Sequence, residues 1–325
     1  MNNTFNDVLI EPKYSEVISR SKVDLTIDFG KFWKLSLPVI SANMKTITGP
    51  KMTKAMKQNG ALGILHRFNT LEQAIADFTE FNWAGVSIGV QEEDKERFNR
   101  LYEAGARVFC VDVAHGHHIL VKNMLHWISA KEIRDIILIA GNIATKAAAE
   151  DLTAWGADVV KVGIGPGSVC QTRQRTGVGV PQLSALKTVA DTITYWKYKT
   201  KIVADGGIVN IGDIPKAMKY AHAVMIGSMI AGTAETPGNV YRNPEGQYYK
   251  MYGGSASAEN KGENKFVEGM MKTVPFRGKV KYILREIEDG LRSAFSYVGA
   301  NNLQEFQQKC EFIDISDGAA RESKL

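Results

Sequence analysis

"VVKVGIGPGSVCQTR", residues 159–173, joins an apolar run to a turn rich in glycine and then to polar residues. The run "VVKVGIG" (159–165) shows no clean polar alternation, which is how a strand reads when both faces of a parallel sheet are covered. Seven more runs of this kind recur along the chain: "PVISANM" (38–44), "GALGILHR" (60–67), "GVSIGV" (85–90), "VFCVDVA" (108–114), "ILIAGNI" (137–143), "KIVADGG" (201–207) and "AVMIGSM" (223–229). Helical stretches separate them, among them "LEQAIADFTEF", "EEDKERFNRLYEAG", "TKAAAEDLTAWG" and "PQLSALKTVADTITYW". Several end at Gly or Asn, residues that close helices in the left-handed conformation. Eight strand–helix units predict an α/β chain folded as a (β/α)8 TIM barrel; a doubly wound open sheet competes, but no break into two halves favours it.

The expected organisation is one catalytic domain over residues 1–325. An N-terminal extension covers about 1–35, an active-site flap about 250–278 and a C-terminal tail about 306–325, and there is no inserted regulatory domain. Lys plus Arg number 40 against 35 acids, a surplus of +5 with no block of like charges, so a solvated surface is expected and nucleic acid is not a predicted partner. No apolar run reaches the roughly 18 residues that span a bilayer. The start, "MNNTFNDVLIEPKYSE", lacks a charged-then-apolar signal pattern. Three widely spaced cysteines argue against a disulfide framework. The expectation is a cytoplasmic protein without membrane contact.

In a barrel the chemistry belongs at the C-terminal ends of the strands. There the glycines of "GIGPGS" and the hydroxyl of Ser168 form a plausible cradle for a phosphate or a cation, or simply a tight loop. The spacing is not that of a dinucleotide fingerprint. "ADGGI" (204–208) and "IGSMIAG" (226–232) end the seventh and eighth strands, whose loops often hold phosphate. Gly207 and Ser228 would then converge with Ser168. Cys110 lies inside a strand and reads as inert packing, and Cys310 as structural or incidental. Cys170 stands among glycines at the catalytic face, where backbone dipoles stabilise a thiolate; nucleophile and inert thiol both remain open on position alone. "DVAHGHH" (112–118) holds His-x-His but lacks a third ligand at zinc spacing, so Asp112 is read as a hydrogen-bonding group. "YGGSASAENKGENKFVEG" (252–269) reads as a long active-site loop, with Glu263 and Glu268 either functional or solvated.

Taken together, "GIGPGSVCQTR…TGVGVPQLSAL" (163–186), "ADGGI…GDIPKAM" (204–218) and "VMIGSMIAGTAETPG" (224–238) resemble the IMP dehydrogenase/GMP reductase family. The opening "TFNDVLIEPKYSEV" and the late "VPFRGKV…GLRSAFSYVGA" resemble it too, so the likeness covers roughly residues 4–315. The resemblance implies a TIM barrel acting on purine nucleotide monophosphates with a nicotinamide cofactor, through a covalent thioimidate at carbon 2. It implies Cys170 as nucleophile, with Thr172 and Glu268 as a proton relay. It implies substrate contacts from Asn43, Ser168, Asp205, Gly206, Gly207, Gly227, Ser228, Tyr252, Gly253, Gly254 and Ser255. The cofactor side falls to His66, Arg67, Asp112, Ala114 and His115. The carbonyls of Gly163, Gly165 and Cys170 are implied for a monovalent cation such as potassium, and the assembly is implied to be a homotetramer.

Three features point to the reductase branch. Residues 67–85 leave no room for a regulatory insertion. "SASAENKGENKFVEG" contains neither Arg nor Tyr, the pair with which the dehydrogenase branch activates water. "SANM", with Asn43, resembles the reductase motif after the first strand. The expected reaction is NADPH-dependent reductive deamination of GMP to IMP with release of ammonia. The alternatives are a dehydrogenase lacking the regulatory domain, converting IMP and NAD to XMP, and a non-catalytic barrel that binds purine nucleotides.

Overall fold

The computed structural model of the chain describes residues 2–30, 33–254 and 269–322. A short strand β1 (Val8–Ile10) is followed by a hairpin of β2 (Ile27–Asp28) and β3 (Lys34–Leu35). Eight parallel strands then close into a barrel: β4 (Val39–Ser41), β5 (Leu62–Leu65), β6 (Gly85–Ile88), β7 (Val108–Asp112), β8 (Ile137–Ile143), β9 (Val159–Val162), β10 (Lys201–Asp205) and β11 (Ala223–Ile226). Each pairs with the next in sequence, and β11 returns to β4 in the register Val224↔Val39 and Ile226↔Ser41. All eight apolar runs become barrel strands, as closure around a packed interior requires.

The helices α1 (Pro50–Gln58), α2 (Leu71–Thr79), α3 (Glu92–Glu103), α4 (Ile119–Ser129), α5 (Lys146–Ala154), α6 (Thr172–Thr176), α7 (Gln182–Tyr195) and α8 (Asp213–Met218) follow the strands. Their starts are written locally. Pro50 opens α1, where its missing N–H costs nothing. The hydroxyls of Thr70 and Thr145 accept from Gln73 and Ala148 N–H groups, capping α2 and α5. The short α6 begins at Thr172 and ends at Gly177, whose φ of +71° suits a helix C-terminus.

No helix directly follows β11. The chain instead builds an antiparallel sheet of β12 (Tyr241–Arg242), β13 (Tyr248–Gly253) and β14 (Met271–Pro275), and only then the helix Val280–Tyr297. That helix packs against α8 and α1 and so completes the outer ring. Its buried residues, Val280, Leu284, Ile287, Leu291 and Phe295, recur three or four positions apart and form one apolar face. The described edges of the stretch expected as a flap over 250–278, residues 250–253 and 271–275, are therefore ladder. Gly253 pairs with Met271 and Tyr249 with Pro275, because β13 and β14 satisfy each other's backbone groups. Residues 255–268 lie outside the described residues.

The two ends of the chain are tied together. β1 pairs antiparallel with β15 (Phe312–Asp314), preceded by the helix Leu303–Lys309. The segment expected as a tail is thus integrated, and Phe306 stacks on Phe295 at 4.1 Å. Leu25, Ile27, Trp33, Leu35 and Leu37 are buried, and Trp33 stacks at 4.4 Å on Trp83, just before β6. This plug covers the N-terminal ends of the strands and leaves the opposite end for the site. Among the described residues, no helix is long and apolar enough to cross a membrane.

Candidate active site

A cavity of about 370 Å³ opens at the C-terminal ends of the barrel strands. The loop after β9 forms one wall. At Gly163 the chain runs so close to β10 that a Cβ would overlap the Asp205 carbonyl oxygen, and φ is +148°. Only glycine tolerates both conditions. Pro166 packs over Gly206 and Gly207, bringing the loops after β9 and β10 together. Ser168, Gly206, Gly207, Gly227 and Ser228 all line this part of the cavity. Tyr252, only 3% exposed on β13, reaches in from the side; its hydroxyl lies 3.4 Å from Ser168 Oγ. Burial pushes its phenol above the ordinary value.

Cys170 lines the same cavity and is half-buried. Its N–H donates to the Gly167 carbonyl at 3.0 Å, and its thiol lies 3.2 Å from Thr172 Oγ1. An antiparallel bridge joins Cys170 to Gly269, and Met270 N–H donates to Val169 O at 3.1 Å. The chain that leaves residue 268 is therefore anchored beside the cysteine. Glu268 and Ser255 lie outside the described residues. The other two cysteines differ: Cys110 and Cys310 are buried, and burial raises both thiols, that of Cys310 to about 11. A thiol held protonated is a poor nucleophile.

The floor is a charged cluster. Lys161, on β9, has its side chain 3% exposed, and its ammonium lies 3.0 Å from Asp112 Oδ1 and 2.7 Å from Asp205 Oδ2. It also donates to Asn142 Oδ1. Asn142 Nδ2 donates to Asp205 Oδ2 at 2.9 Å and to the Gly163 carbonyl at 2.6 Å. Arg67 Nε donates to the Asp112 carbonyl at 3.1 Å. Burial works to neutralise Lys161, but the two carboxylates outweigh it and hold the ammonium above the ordinary lysine value. Burial likewise works to raise Asp112; Lys161, then Arg67 and Asn43, outweigh it and keep the carboxyl below its usual range.

Asn43, Arg67, Asp112, Ala114 and Gly254 line the cavity with these groups. Three expected residues do not. Gly253 sits behind it, its N–H bonded to Thr46 Oγ1 at 3.0 Å. His66 turns aside to accept from Phe68 N–H at 3.1 Å, and burial lowers it to about 4. His115 is carried away by the turn in which Gly116 N–H donates to Asn142 O at 2.7 Å. Gly163, Gly165 and Cys170, whose carbonyls are expected to face a monovalent cation, all line the cavity. Gly163 O accepts from Asn142, and the Arg173 side chain lies across Gly165, donating to the carbonyls of Ile164 and Val180.

Lys161 and Asn142 are the residues the sequence reading did not assign. The signal for Lys161 was present: a lysine inside an otherwise apolar buried strand is costly unless it is paired. Two strand-end aspartates supply the partners.

Comparison with known proteins agrees with this geometry. The family model described as "IMP dehydrogenase / GMP reductase domain" matches residues 2–325. Proteins named GMP reductase are similar over nearly the full chain. That of Acidovorax sp. (strain JS42) is 40% identical, covering 99% of this chain and 98% of the relative. That of Albidiferax ferrireducens is 38% identical with the same coverage. That of Lactobacillus delbrueckii subsp. bulgaricus is 36% identical, covering 94% of this chain and 92% of its own. With a cysteine-bearing loop at the mouth of a closed eightfold barrel and a match along its whole length, the chain belongs to the IMP dehydrogenase/GMP reductase family.

Proposed function

We propose that this protein is a GMP reductase, converting GMP, NADPH and two protons to IMP, NADP and ammonium. The observation that carries the reading is Cys170 at the cavity wall, with Thr172 Oγ1 3.2 Å from its sulfur and Gly269 bridged to its backbone. The relatives' names and the absence of Arg and Tyr from "SASAENKGENKFVEG" favour the reductase over the dehydrogenase.

In the first half-reaction the Cys170 sulfur bonds to carbon 2 of the purine, and the bond from carbon 2 to the exocyclic nitrogen breaks. An amine leaves poorly as an anion, so it must be protonated as it departs. Thr172 and Glu268 are assigned to that proton transfer. In the second half, hydride arrives at carbon 2 and the carbon–sulfur bond breaks, releasing IMP and regenerating the thiolate. Ser168, Gly207, Gly227, Ser228 and Tyr252 hold the phosphate by N–H and hydroxyl donation. Asp205 accepts from the ribose hydroxyls, and Asn43 and Gly254 face the base. Arg67, Asp112 and Ala114 form the dinucleotide side; His66 and His115 act there only through neighbours. No step is assigned to a monovalent cation. The assembly is a cytoplasmic homotetramer.

The test is the mass of the Cys170 peptide after acid quench of enzyme given GMP and limiting NADPH. A purine-ribonucleotide increment on Cys170 is expected. Turnover with the peptide unmodified throughout would overturn the covalent route.

A further inference from the structure

The cluster under the cavity has an unusual balance. One ammonium, buried in the barrel on β9, serves two carboxylates: Asp112 at the end of β7, two strands away, and Asp205 at the end of the adjacent β10. The groups that face it are few. Cys110 lies within the barrel behind Asp112, Arg67 approaches Asp112 from the loop after β5, and Tyr252 approaches Asp205 from β13. Asn142 is neutral and completes the ring, donating to Asp205 and accepting from Lys161.

We propose that Lys161 is the positioning residue of this site: its ammonium holds the ribose-side and dinucleotide-side aspartates in register as acceptors, so that both ligands depend on one buried charge. This rests on the reading of the site as one for GMP and a nicotinamide dinucleotide. Two carboxylates that lose a shared counter-charge cannot both stay ionised in a buried site; the pair takes up a proton, as neighbouring carboxylates do. A protonated or displaced Asp205 accepts ribose hydroxyls less well. The defect therefore depends on pH, which a loss of packing would not. Arg67 also favours the Asp112 carboxylate, but its bond is to the Asp112 backbone and it does not bridge the two side chains as Lys161 does.

The experiment measures GMP affinity by equilibrium titration, without turnover, as a ratio of variant to wild type across neutral and alkaline pH. Taking the ratio cancels the titration of GMP itself. Lys161→Met is expected to weaken GMP by about tenfold or more near neutrality, with part of the loss recovered as pH rises and the carboxylates reionise. KM for NADPH rises with it. Lys161→Arg, which keeps the charge, should stay within about threefold of wild type with a flat ratio. The double variant Lys161→Met/Asp112→Asn removes the unbalanced carboxylate and should recover GMP affinity and lose the pH dependence. Lys161→Met binding GMP as wild type does at every pH would overturn the proposal. So would a uniform loss, with no pH dependence and no recovery in the double variant. Wild-type protein that fails to bind GMP would instead sink the functional reading beneath it.

Discussion

Replacing Gly163 by Ala tests the close approach on which the site is built. The residue sits at φ +148°, and an added Cβ would overlap the Asp205 carbonyl oxygen and lie 3.1 Å from Gln182 Nε2. Holding an L side chain in such a backbone region costs about 1–3 kcal/mol. Wedging a methyl against the Asp205 backbone adds about 1–3 kcal/mol of overpacking, since the overlapped atom is main chain rather than the end of a flexible side chain. Together these predict a loss of about 2–6 kcal/mol, read as a lowered urea midpoint with unchanged slope. The segments displaced are β10, which ends at Asp205, and the cysteine loop after β9. A misplacement of about 1 Å costs on the order of 100-fold in rate, so kcat/KM should fall by at least that much. Gly177→Ala is the internal control. Its φ is +71° with nothing within 4 Å of the new Cβ, so only the left-handed penalty of about 1–2 kcal/mol applies, with turnover preserved. Equal effects at the two positions, or a Gly163→Ala loss below about 1 kcal/mol, would refute the packing argument.

The remaining predictions concern chemistry and pH. Cys170→Ala should abolish turnover while GMP binding by titration persists; residual steady-state turnover would remove the sulfur from the mechanism. Thr172→Val should lower kcat by on the order of 100-fold or more with KM for GMP little changed, and an unchanged kcat would strip the hydroxyl of its proton-transfer role. Tyr252→Phe should raise KM for GMP about tenfold through a lost donor to the phosphate, with kcat largely kept. His222 is half-buried, accepts from Ile202 N–H, and desolvation lowers it to about 3. A histidine depressed in the folded state contributes stability that is whole above about pH 6.5 and is lost as pH falls toward 3. Acid unfolding should therefore carry a slope of up to about 1.4 kcal/mol per pH unit from this residue, and His222→Gln should remove it. A variant whose stability falls just as steeply over that window would show that the ring is not buried neutral.

The barrel was legible because its strands are covered on both faces, leaving runs such as "VFCVDVA" and "KIVADGG" apolar without a helical period. The plug was less so. Trp33 and Leu35 bury under the barrel through a two-stranded hairpin too short to produce a period, and β1 meets β15 across nearly the whole chain. The convergence of the strand-end loops could be read because glycines mark the strand ends, and Ser168, Gly207, Gly227 and Ser228 do line one cavity. Lys161 escaped because a sequence does not say which way a strand residue points. Inside the barrel it meets two aspartates; on the helix-covered outer face it would have met neither. His66 and His115 failed to reach the cavity for a similar reason. Turns after strands re-aim side chains by local hydrogen bonds, here to Phe68 N–H and through Gly116, that no spacing rule encodes.

The central claim is tested most directly by purified protein mixed with GMP and NADPH, followed at once by NADPH absorbance and by ammonium release. The account predicts that both proceed together, one ammonium per NADPH, with IMP as the only purine product. No reaction with GMP, together with reduction of NAD when IMP is supplied and XMP as product, would contradict it.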